Sequence, residues 1–217
     1  MTVCPEITTD GPKLGVYLKE GVTGIGTVTW YDPETGDFGT LGHGVHNAGG
    51  KLLEMISGQV YDAEVLSVKA GKAGDPGQLK GGIDASAPLG ILKKNTQKGV
   101  FGNSKHGWQG QALPVAEQSS IKTGDATILS TVKGDTVQEY SVEILKIYPH
   151  ADGGARNMLI RVTDPKLLAI TGGIVQGMSG SPIIQDGKLV GAVTHVLVND
   201  PTTGYGIFIE NMLDAAA

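Results

Sequence analysis

The sequence predicts an all-β protein built from short antiparallel strands that close into a barrel or stack as a sandwich. Alternating apolar, often β-branched residues recur in short pieces such as "GIGTVTWYD", "QVYDAEVLSVKAG" and "DATILSTV". Turn sequences such as "DPETGD", "VKGD" and "NDPTTG" separate them. Glycine supplies 34 of the 217 residues without a regular period, which is more than twice the usual share of about 7%. Many short strands punctuated in this way are typical of antiparallel barrels and sandwiches.

Bulk composition excludes several classes of function. The net charge is -5, so no basic surface points to nucleic acid as a partner. The single cysteine, Cys4, excludes an intramolecular disulfide. No run approaches the roughly 20 apolar residues of a membrane span, and the first residues have no signal-peptide pattern. We therefore expect a soluble globular chain that carries no address of its own.

The elements follow in two β-rich halves. Strands are predicted in "GIGTVTWYD", "DFGTLGH" and "QVYDAEVLSVKAG" in the first half. Residues 93–111 are polar, basic and poorly periodic, and we interpret them as a long connection between the halves, with a surface loop inside one domain as the alternative. The second half continues with strands in "DATILSTV", "QEYSVEILKIYP", "NMLIRVTD" and "GYGIF", and "SPIIQDGKLVGAVTHVLV" predicts two strands joined by the turn "QDGK".

Two short helices interrupt the strand pattern. "DPKLLAI", residues 164–170, predicts a helix with Asp164 as N-cap and Pro165 at its first position. "ENMLDAAA", residues 210–217, predicts a helix at the end of the chain. Long amphipathic helices are not expected.

The first motif with chemical potential is "GMSGSP", residues 177–182. A serine hydroxyl is a poor nucleophile at neutral pH, so its use requires an adjacent base and NH groups aimed at the developing oxyanion. Glycines beside a serine permit a tight turn whose NH groups point inward. Ser179 is the candidate nucleophile. Ser181 lies in the same turn, where we expect both serines to be exposed and Ser181 to be a local hydrogen-bonding residue.

The second motif is "GTLGHGV", in which His43 ends an alternating strand between Gly42 and Gly44. Small neighbours leave its ring room to approach another loop. His106 and His150 lie in polar segments and are expected to be exposed, and His195 lies in a predicted strand where a packed histidine is the simpler interpretation. A metal pair from His43 and His46 is not expected because no further ligands occur at suitable spacing. No cofactor is expected either.

The chain resembles a known protease family. It has a histidine in a glycine-flanked turn early in the sequence and the serine motif late in it. "GTLGHGV", "TGGIVQGMSGSPIIQDGKLVGAVTHV" and "NDPTTGYGIFIENML" resemble the SpoIVB peptidases of spore-forming bacteria, within the chymotrypsin-like serine proteases, from about residue 2 to residue 214. The resemblance implies two antiparallel β-barrels of the chymotrypsin-like type, with the active site between them. It implies one peptidase domain over 1–217, with a first half of about 1–100 and a second half of about 105–217 that carries the nucleophile.

The resemblance also implies roles for individual residues. It assigns Ser179 as nucleophile, His43 as general base and Asp164 as the acid that orients the histidine. The oxyanion hole then comes from the NH groups of Gly177 and Ser179. Because the acid of chymotrypsin-like enzymes usually lies nearer the histidine in sequence, three other aspartates stay open for its role: Asp62, Asp75 and Asp84. A substrate pocket is expected at Thr194, His195 and Val196.

What the resemblance implies about function is a serine endopeptidase that acts as a sporulation signal between forespore and mother cell. Family members cut a membrane-bound regulator of an intramembrane metalloprotease, which activates a late sigma factor, and they also cut themselves. The expected location is the space between the forespore membranes, with a membrane anchor and a PDZ domain preceding the domain in the family. The alternative is a catalytically silent β-barrel that binds an extended peptide by strand addition.

Overall fold

The computed structural model describes residues 6–8, 11–13, 22–108, 110–149 and 155–217. Cys4 and His150 therefore lie outside the described residues. The strands are β1 (Glu6–Thr8), β2 (Gly11–Lys13), β3 (Val28–Tyr31), β4 (Asp37–Thr40), β5 (Gly58–Val60), β6 (Asp62–Lys69), β7 (Gln78–Asp84), β8 (Gly90–Thr96), β9 (Gly99–Asn103), β10 (Gly124–Ser130), β11 (Gln138–Ile147), β12 (Met158–Val162), β13 (Pro182–Gln185), β14 (Lys188–Leu197) and β15 (Asp200–Phe208). The helices are α1 (Pro165–Thr171) and α2 (Ile209–Ala216). The predicted all-β fold with short helices is confirmed.

The C-terminal half is a closed antiparallel barrel in the order β10-β11-β12-β15-β14-β13. Side chains alternate across its wall, so that Ala126, Ile128 and Ser130 of β10 are buried while their neighbours are not. The main core cluster of the molecule fills this barrel, with Ile144 and Ile160 fully buried. Burial of such side chains contributes about 1.5–3 kcal/mol each. The barrel is therefore the rigid support for whatever its loops carry.

The N-terminal half contains a five-stranded sheet in the order β3-β4-β9-β8-β5. In the described residues this sheet is open rather than closed. Phe101 of the sheet packs with Ile207, Ile209 and Met212 in a second core cluster, which joins the sheet to the barrel through α2. Apolar packing thus fixes the two halves against each other.

Strands β6 and β7 form a separate two-stranded antiparallel hairpin, which we call the ribbon. The ribbon precedes the barrel in sequence, but backbone hydrogen bonds attach it to the barrel and to α1. Val65 and Gly134 exchange two backbone hydrogen bonds of 2.7 and 2.9 Å, and the Gly71 NH donates to the Thr171 carbonyl at 2.7 Å. The ribbon therefore belongs structurally to the barrel side of the molecule.

Local signals predicted α1 and the β13–β14 turn. The Asp164 carboxylate accepts hydrogen bonds from the NH groups of Lys166 and Leu167, Pro165 opens the helix, and Gly172 ends it with φ +71°. In the turn "QDGK", Asp186 and Gly187 both have positive φ, +51° and +73°, as a tight hairpin turn requires. Both elements are confirmed as predicted.

The predicted long connection over 93–111 is wrong in its first part. Residues 90–96 and 99–103 form the β8–β9 hairpin, and Val100 and Phe101 are buried. The segment resembles a loop in sequence because the lysines of β8 face solvent. It is nevertheless a strand, because its backbone pairs with β9. The last strand of the sheet ends at Asn103 and the first strand of the barrel begins at Gly124. The predicted bounds of the two halves, about 1–100 and about 105–217, stay a prediction.

Neither described helix is long and apolar enough to cross a membrane.

Candidate active site

Residues 173–181 connect α1 to β13, and we call them the serine loop. Their path depends on glycines with positive φ, at Gly177 (+101°) and Gly180 (+91°). A Cβ added at Gly180 would lie 2.2 Å from the Thr27 carbonyl oxygen. Met178 is fully buried beneath the turn. The glycines of the motif thus serve both backbone conformation and close approach of another segment.

Both halves of the molecule hold the serine loop. From the N-terminal half, the Thr27 NH donates to the Ser179 carbonyl at 2.9 Å, and the Thr29 hydroxyl donates to the Gly180 carbonyl at 2.8 Å. From the barrel, the Val193 carbonyl accepts from the Gly180 NH at 2.8 Å. The turn around Ser179 is therefore fixed at the junction of the halves.

The two serines of the loop differ in environment. The Ser179 side chain is partly exposed, and its hydroxyl donates to the Thr194 carbonyl at 3.0 Å. Ser181 is fully buried, and its hydroxyl has no hydrogen-bond partner among the described residues. The expectation that Ser181 is exposed is wrong, because its side chain turns into the core where β13 begins. Substrate therefore has access to Ser179 alone.

The NH groups on either side of Met178 are without a hydrogen-bond acceptor among the described residues. The Met178 NH donates to the Val175 carbonyl and the Gly180 NH to the Val193 carbonyl. The Gly177 and Ser179 NH groups, one on each side of Met178, have no acceptor among the residues that the structure describes. Free NH groups beside a serine hydroxyl are suited to bind the oxygen of a tetrahedral intermediate.

His43 follows β4 on a turn that brings it against the barrel. Gly42, with φ +67°, allows this turn, and a Cβ there would lie 2.9 Å from the Thr194 methyl group. The His43 ring consequently lies beside His195 of β14, with ring centroids 4.9 Å apart. Ser179 contacts Thr194 and His43 contacts His195, so the two predicted residues flank the same pair of β14 residues. They do not hydrogen-bond to each other in this structure.

A backbone carbonyl orients the His43 ring. Its Nδ1 lies 3.0 Å from the Gly44 carbonyl oxygen. A carbonyl accepts only, so Nδ1 carries the proton and Nε2 keeps its lone pair. His46 contacts the same oxygen through its own Nδ1, also at 3.0 Å. The tautomer required of a general base is thus set without a carboxylate.

Of the predicted pocket residues, Thr194 and His195 lie beside Ser179 and His43, whereas Val196 packs against the barrel core. Thr194 is buried, with its hydroxyl within hydrogen-bond distance of the Ala155 and Tyr205 carbonyls, so it offers its own carbonyl rather than its side chain to the site. His195 and Val196 are half-buried. His195 is thus more than a packed strand residue, because its ring borders the candidate base.

Asp164 lies elsewhere in this structure. One carboxylate oxygen accepts from Lys166 and Leu167 at 2.8 and 3.0 Å, and the other faces the Ser141 NH at 3.4 Å. These are the contacts of a helix cap, and none of them is to His43.

The barrel register shows how far Asp164 is offset from the histidine pair. His195 pairs with Tyr205 and Tyr205 with Leu159 of β12. Asp164 lies five residues beyond Leu159, which corresponds to about 16–17 Å of extended chain. Its role in a triad stays a prediction.

The three other aspartates also have local partners. Asp75 forms an exposed ion pair with Lys69 at 2.7 Å. Asp62 and Asp84 accept from the NH groups of Ala63 and Ser86. Among the described residues, no carboxylate hydrogen-bonds to His43.

Comparison with known proteins decides the family. Residues 10–213 match the family model of the SpoIVB peptidase S55. The chain belongs to the SpoIVB peptidase S55 family. It is a serine endopeptidase, and its substrate is a protein. The family predicted from the sequence is confirmed.

Other comparisons give distant neighbours. No curated protein matches the chain. The active form of the Rv3671c protease from M. tuberculosis is 17% identical, covers 73% of this chain and 81% of its own, and has a TM-score of 0.46. The inactive mutant form from M. tuberculosis H37Rv is 16% identical, covers 70% and 83%, and has a TM-score of 0.45. Membership of the S55 family rests on the family match.

Burial keeps the two histidines of this S55 peptidase neutral. Desolvation lowers the pKa of His43, against the opposing effect of the Gly44 hydrogen bond, and nearby His46 lowers it further. For His195, burial together with the neighbouring His43, Arg156 and His46 lowers the pKa to about 4. A proton acceptor is therefore present at neutral pH.

We expect the pH profile to report this lowered pKa. A base acts in its neutral form, so activity is retained as pH falls below the ordinary histidine pKa of 6.5 and is lost only on passing the lower pKa of His43. The acid limb of kcat/KM should therefore have its midpoint below pH 6.5. His46→Gln removes one cause of the shift and should move the limb to higher pH. A wild-type midpoint at or above 6.5 would contradict this description.

Substitutions at Asp164 separate a helix cap from a triad acid. Asparagine is an equally good N-cap, so Asp164→Asn should fold with unchanged stability and retain turnover within a few-fold. Asp164→Ala should lose about 1 kcal/mol of unfolding free energy in denaturant titrations. The opposite outcome is a folded Asp164→Asn protein whose kcat falls about 10⁴-fold, which would assign the carboxylate to the triad.

Proposed function

We propose that Ser179 is the nucleophile of this peptidase and His43 its general base. The observation that carries the proposal is their meeting at Thr194 and His195, although one comes from the N-terminal half and the other from the barrel. The free NH groups of Gly177 and Ser179 support an oxyanion hole beside them. A pure binding module has no need of this combination.

The reaction follows from these groups. The Ser179 hydroxyl turns from the Thr194 carbonyl toward Nε2 of His43, which takes its proton as Oγ attacks the scissile carbonyl carbon. The negative oxygen of the tetrahedral intermediate accepts hydrogen bonds from Gly177 and Ser179. His43 returns the proton to the leaving amine, which leaves an ester on Ser179. Water then attacks this ester with His43 again as base.

The resting hydroxyl position fits this scheme. A neutral hydrogen bond of 3.0 Å to Thr194 is exchanged for one to His43, and such an exchange costs little because one bond replaces another. Catalytic hydrogen bonds are often long or misaligned before substrate binds. The proposed substrate pocket lies at Thr194, His195 and Val196, and of these His195 is half-buried with its ring beside His43.

We propose the family's role for this chain: a sporulation signal that cuts a membrane-bound regulator of an intramembrane metalloprotease and so activates a late sigma factor. Self-cleavage, action in the space between the forespore membranes, and a preceding membrane anchor and PDZ domain belong to the same proposal. Its support is the match to the SpoIVB family over residues 10–213.

Ser179→Ala and Ser181→Ala form a matched pair that tests both the peptidase chemistry and the signalling role. Ser179→Ala should abolish labelling by a fluorophosphonate, prevent self-cleavage and block activation of the late sigma factor in sporulating cells. Ser181→Ala should keep all three, because its hydroxyl is buried away from substrate. A folded wild-type protein without Ser179-dependent label would favour the silent peptide-binding scaffold. Labelling without any effect on the sigma factor would reject the signalling role alone.

A further inference from the structure

The ribbon makes two hydrogen bonds to the residue that precedes Gly177. The Leu79 NH donates to the Gln176 carbonyl at 2.8 Å, and the Gln176 NH donates to the Gly77 carbonyl at 3.3 Å. Gln176 and Gln78 thus form a parallel bridge between the serine loop and β7. The ribbon is thereby attached directly beside the candidate oxyanion hole.

One peptide unit connects this attachment to the hole. The Gln176 carbonyl and the Gly177 NH belong to the same trans peptide, in which C=O and N–H point in opposite directions. When Leu79 holds the carbonyl toward the ribbon, the Gly177 NH is directed away from it. In this orientation the NH is free to receive a substrate oxygen.

Nothing in Gly177 itself would maintain that orientation. Its φ is +101°, and glycine occupies positive and negative φ about equally well. Leu79 is 3% exposed, and a Cβ at Gly177 would lie 3.0 Å from the Leu79 Cβ. If the peptide turned over, its carbonyl would replace the NH and repel the developing negative charge.

We propose that Leu79 is a positioning residue, whose backbone NH holds the 176–177 peptide with the Gly177 NH turned toward the substrate. This inference rests on the proposed function of Ser179 and Gly177. Leu79 itself does not take part in the reaction. The ribbon is then the element that completes the oxyanion hole of the barrel.

The strand geometry makes a clean test available. Val65 exchanges its backbone hydrogen bonds with Gly134, so its NH and carbonyl face away from β7, and those of its partner Gly81 face away from β6. Leu79, two residues earlier, also directs its NH outward. Proline at this position therefore removes the bond to Gln176 without removing a bond of the β6–β7 ladder.

The experiment compares Leu79→Pro with Leu79→Ala. Both lose the leucine side chain, but only the proline variant loses the NH. Relative to Leu79→Ala, we expect kcat to fall about tenfold to a hundredfold with KM unchanged. This is less than the factor of about 10²–10³ that outright removal of one oxyanion donor costs, because the Gly177 NH remains and only its orientation is released. Affinity for a peptidyl boronate, which mimics the tetrahedral intermediate, should fall in parallel.

Val65→Pro and Val65→Ala are the matched controls. Val65→Pro removes the same kind of bond from the opposite edge of the ribbon, whereas Val65→Ala keeps it, and kcat should be equal in the two. Equal kcat in folded Leu79→Pro and Leu79→Ala, or an equal loss in Val65→Pro, would overturn the inference. A wild type without Ser179-dependent label would contradict the proposed function, and with it the oxyanion hole.

A milder variant covers the case in which Leu79→Pro does not fold. A Cβ at Gly77, where φ is +70°, would lie 2.4 Å from the Lys69 carbonyl oxygen, so Gly77→Ala must shift the turn that holds Gln176. We expect a lower kcat with unchanged KM in this variant. An unchanged kcat would overturn the inference.

Discussion

The site depends on the hydrogen bonds that clamp the serine loop between the two halves of the molecule. The Thr27 NH holds the Ser179 carbonyl from one side and the Val193 carbonyl holds the Gly180 NH from the other. Gly180 permits this because no side chain intervenes between the loop and Thr27. The same junction lets the turn after β4 reach β14, where His43 and Ser179 converge. Catalytic geometry here is a property of how the halves dock, and the barrel supplies the rigid reference.

Orientation of the base by a carbonyl has a chemical consequence. The Gly44 oxygen fixes the proton on Nδ1 of His43 as well as a carboxylate would, but it brings no full negative charge. In the proposed reaction, the imidazolium formed during attack has a dipole and no carboxylate beside it among the described residues, in a site whose burial already lowers the pKa of His43. The Gly44 carbonyl sets the tautomer of His43, and burial keeps the resting ring neutral. In the proposed reaction, stabilisation of the charged intermediate then depends mainly on the oxyanion hole. Catalysis by the proposed reaction therefore depends strongly on the Gly177 NH and on the ribbon that we propose orients it.

Local patterns in the sequence predicted most of the strands, the α1 cap and the "QDGK" turn, since each depends on neighbouring residues. Ser179 and His43 were also recognisable as candidates, because each lies in a short glycine-rich motif that is typical of a tight turn. The β8–β9 hairpin was missed because its order comes from cross-strand pairing. The orienting groups are the Gly44 carbonyl, which any residue could supply, and the Leu79 NH, which any residue except proline could supply. The contact of His43 with His195 depends on strand register and on docking of the halves. Local sequence patterns predict neither of these.

A crystal structure of a peptidyl boronate adduct would show the nucleophile, the base and the oxyanion hole together. We expect a covalent bond to Ser179 Oγ, with one boronate oxygen about 2.7–3.1 Å from the NH groups of Gly177 and Ser179. We also expect that Nδ1 of His43 still donates to the Gly44 carbonyl. An adduct in which the Gly177 NH points away from the boronate oxygen, or in which an aspartate such as Asp164 has moved onto Nδ1, would contradict the proposed reaction.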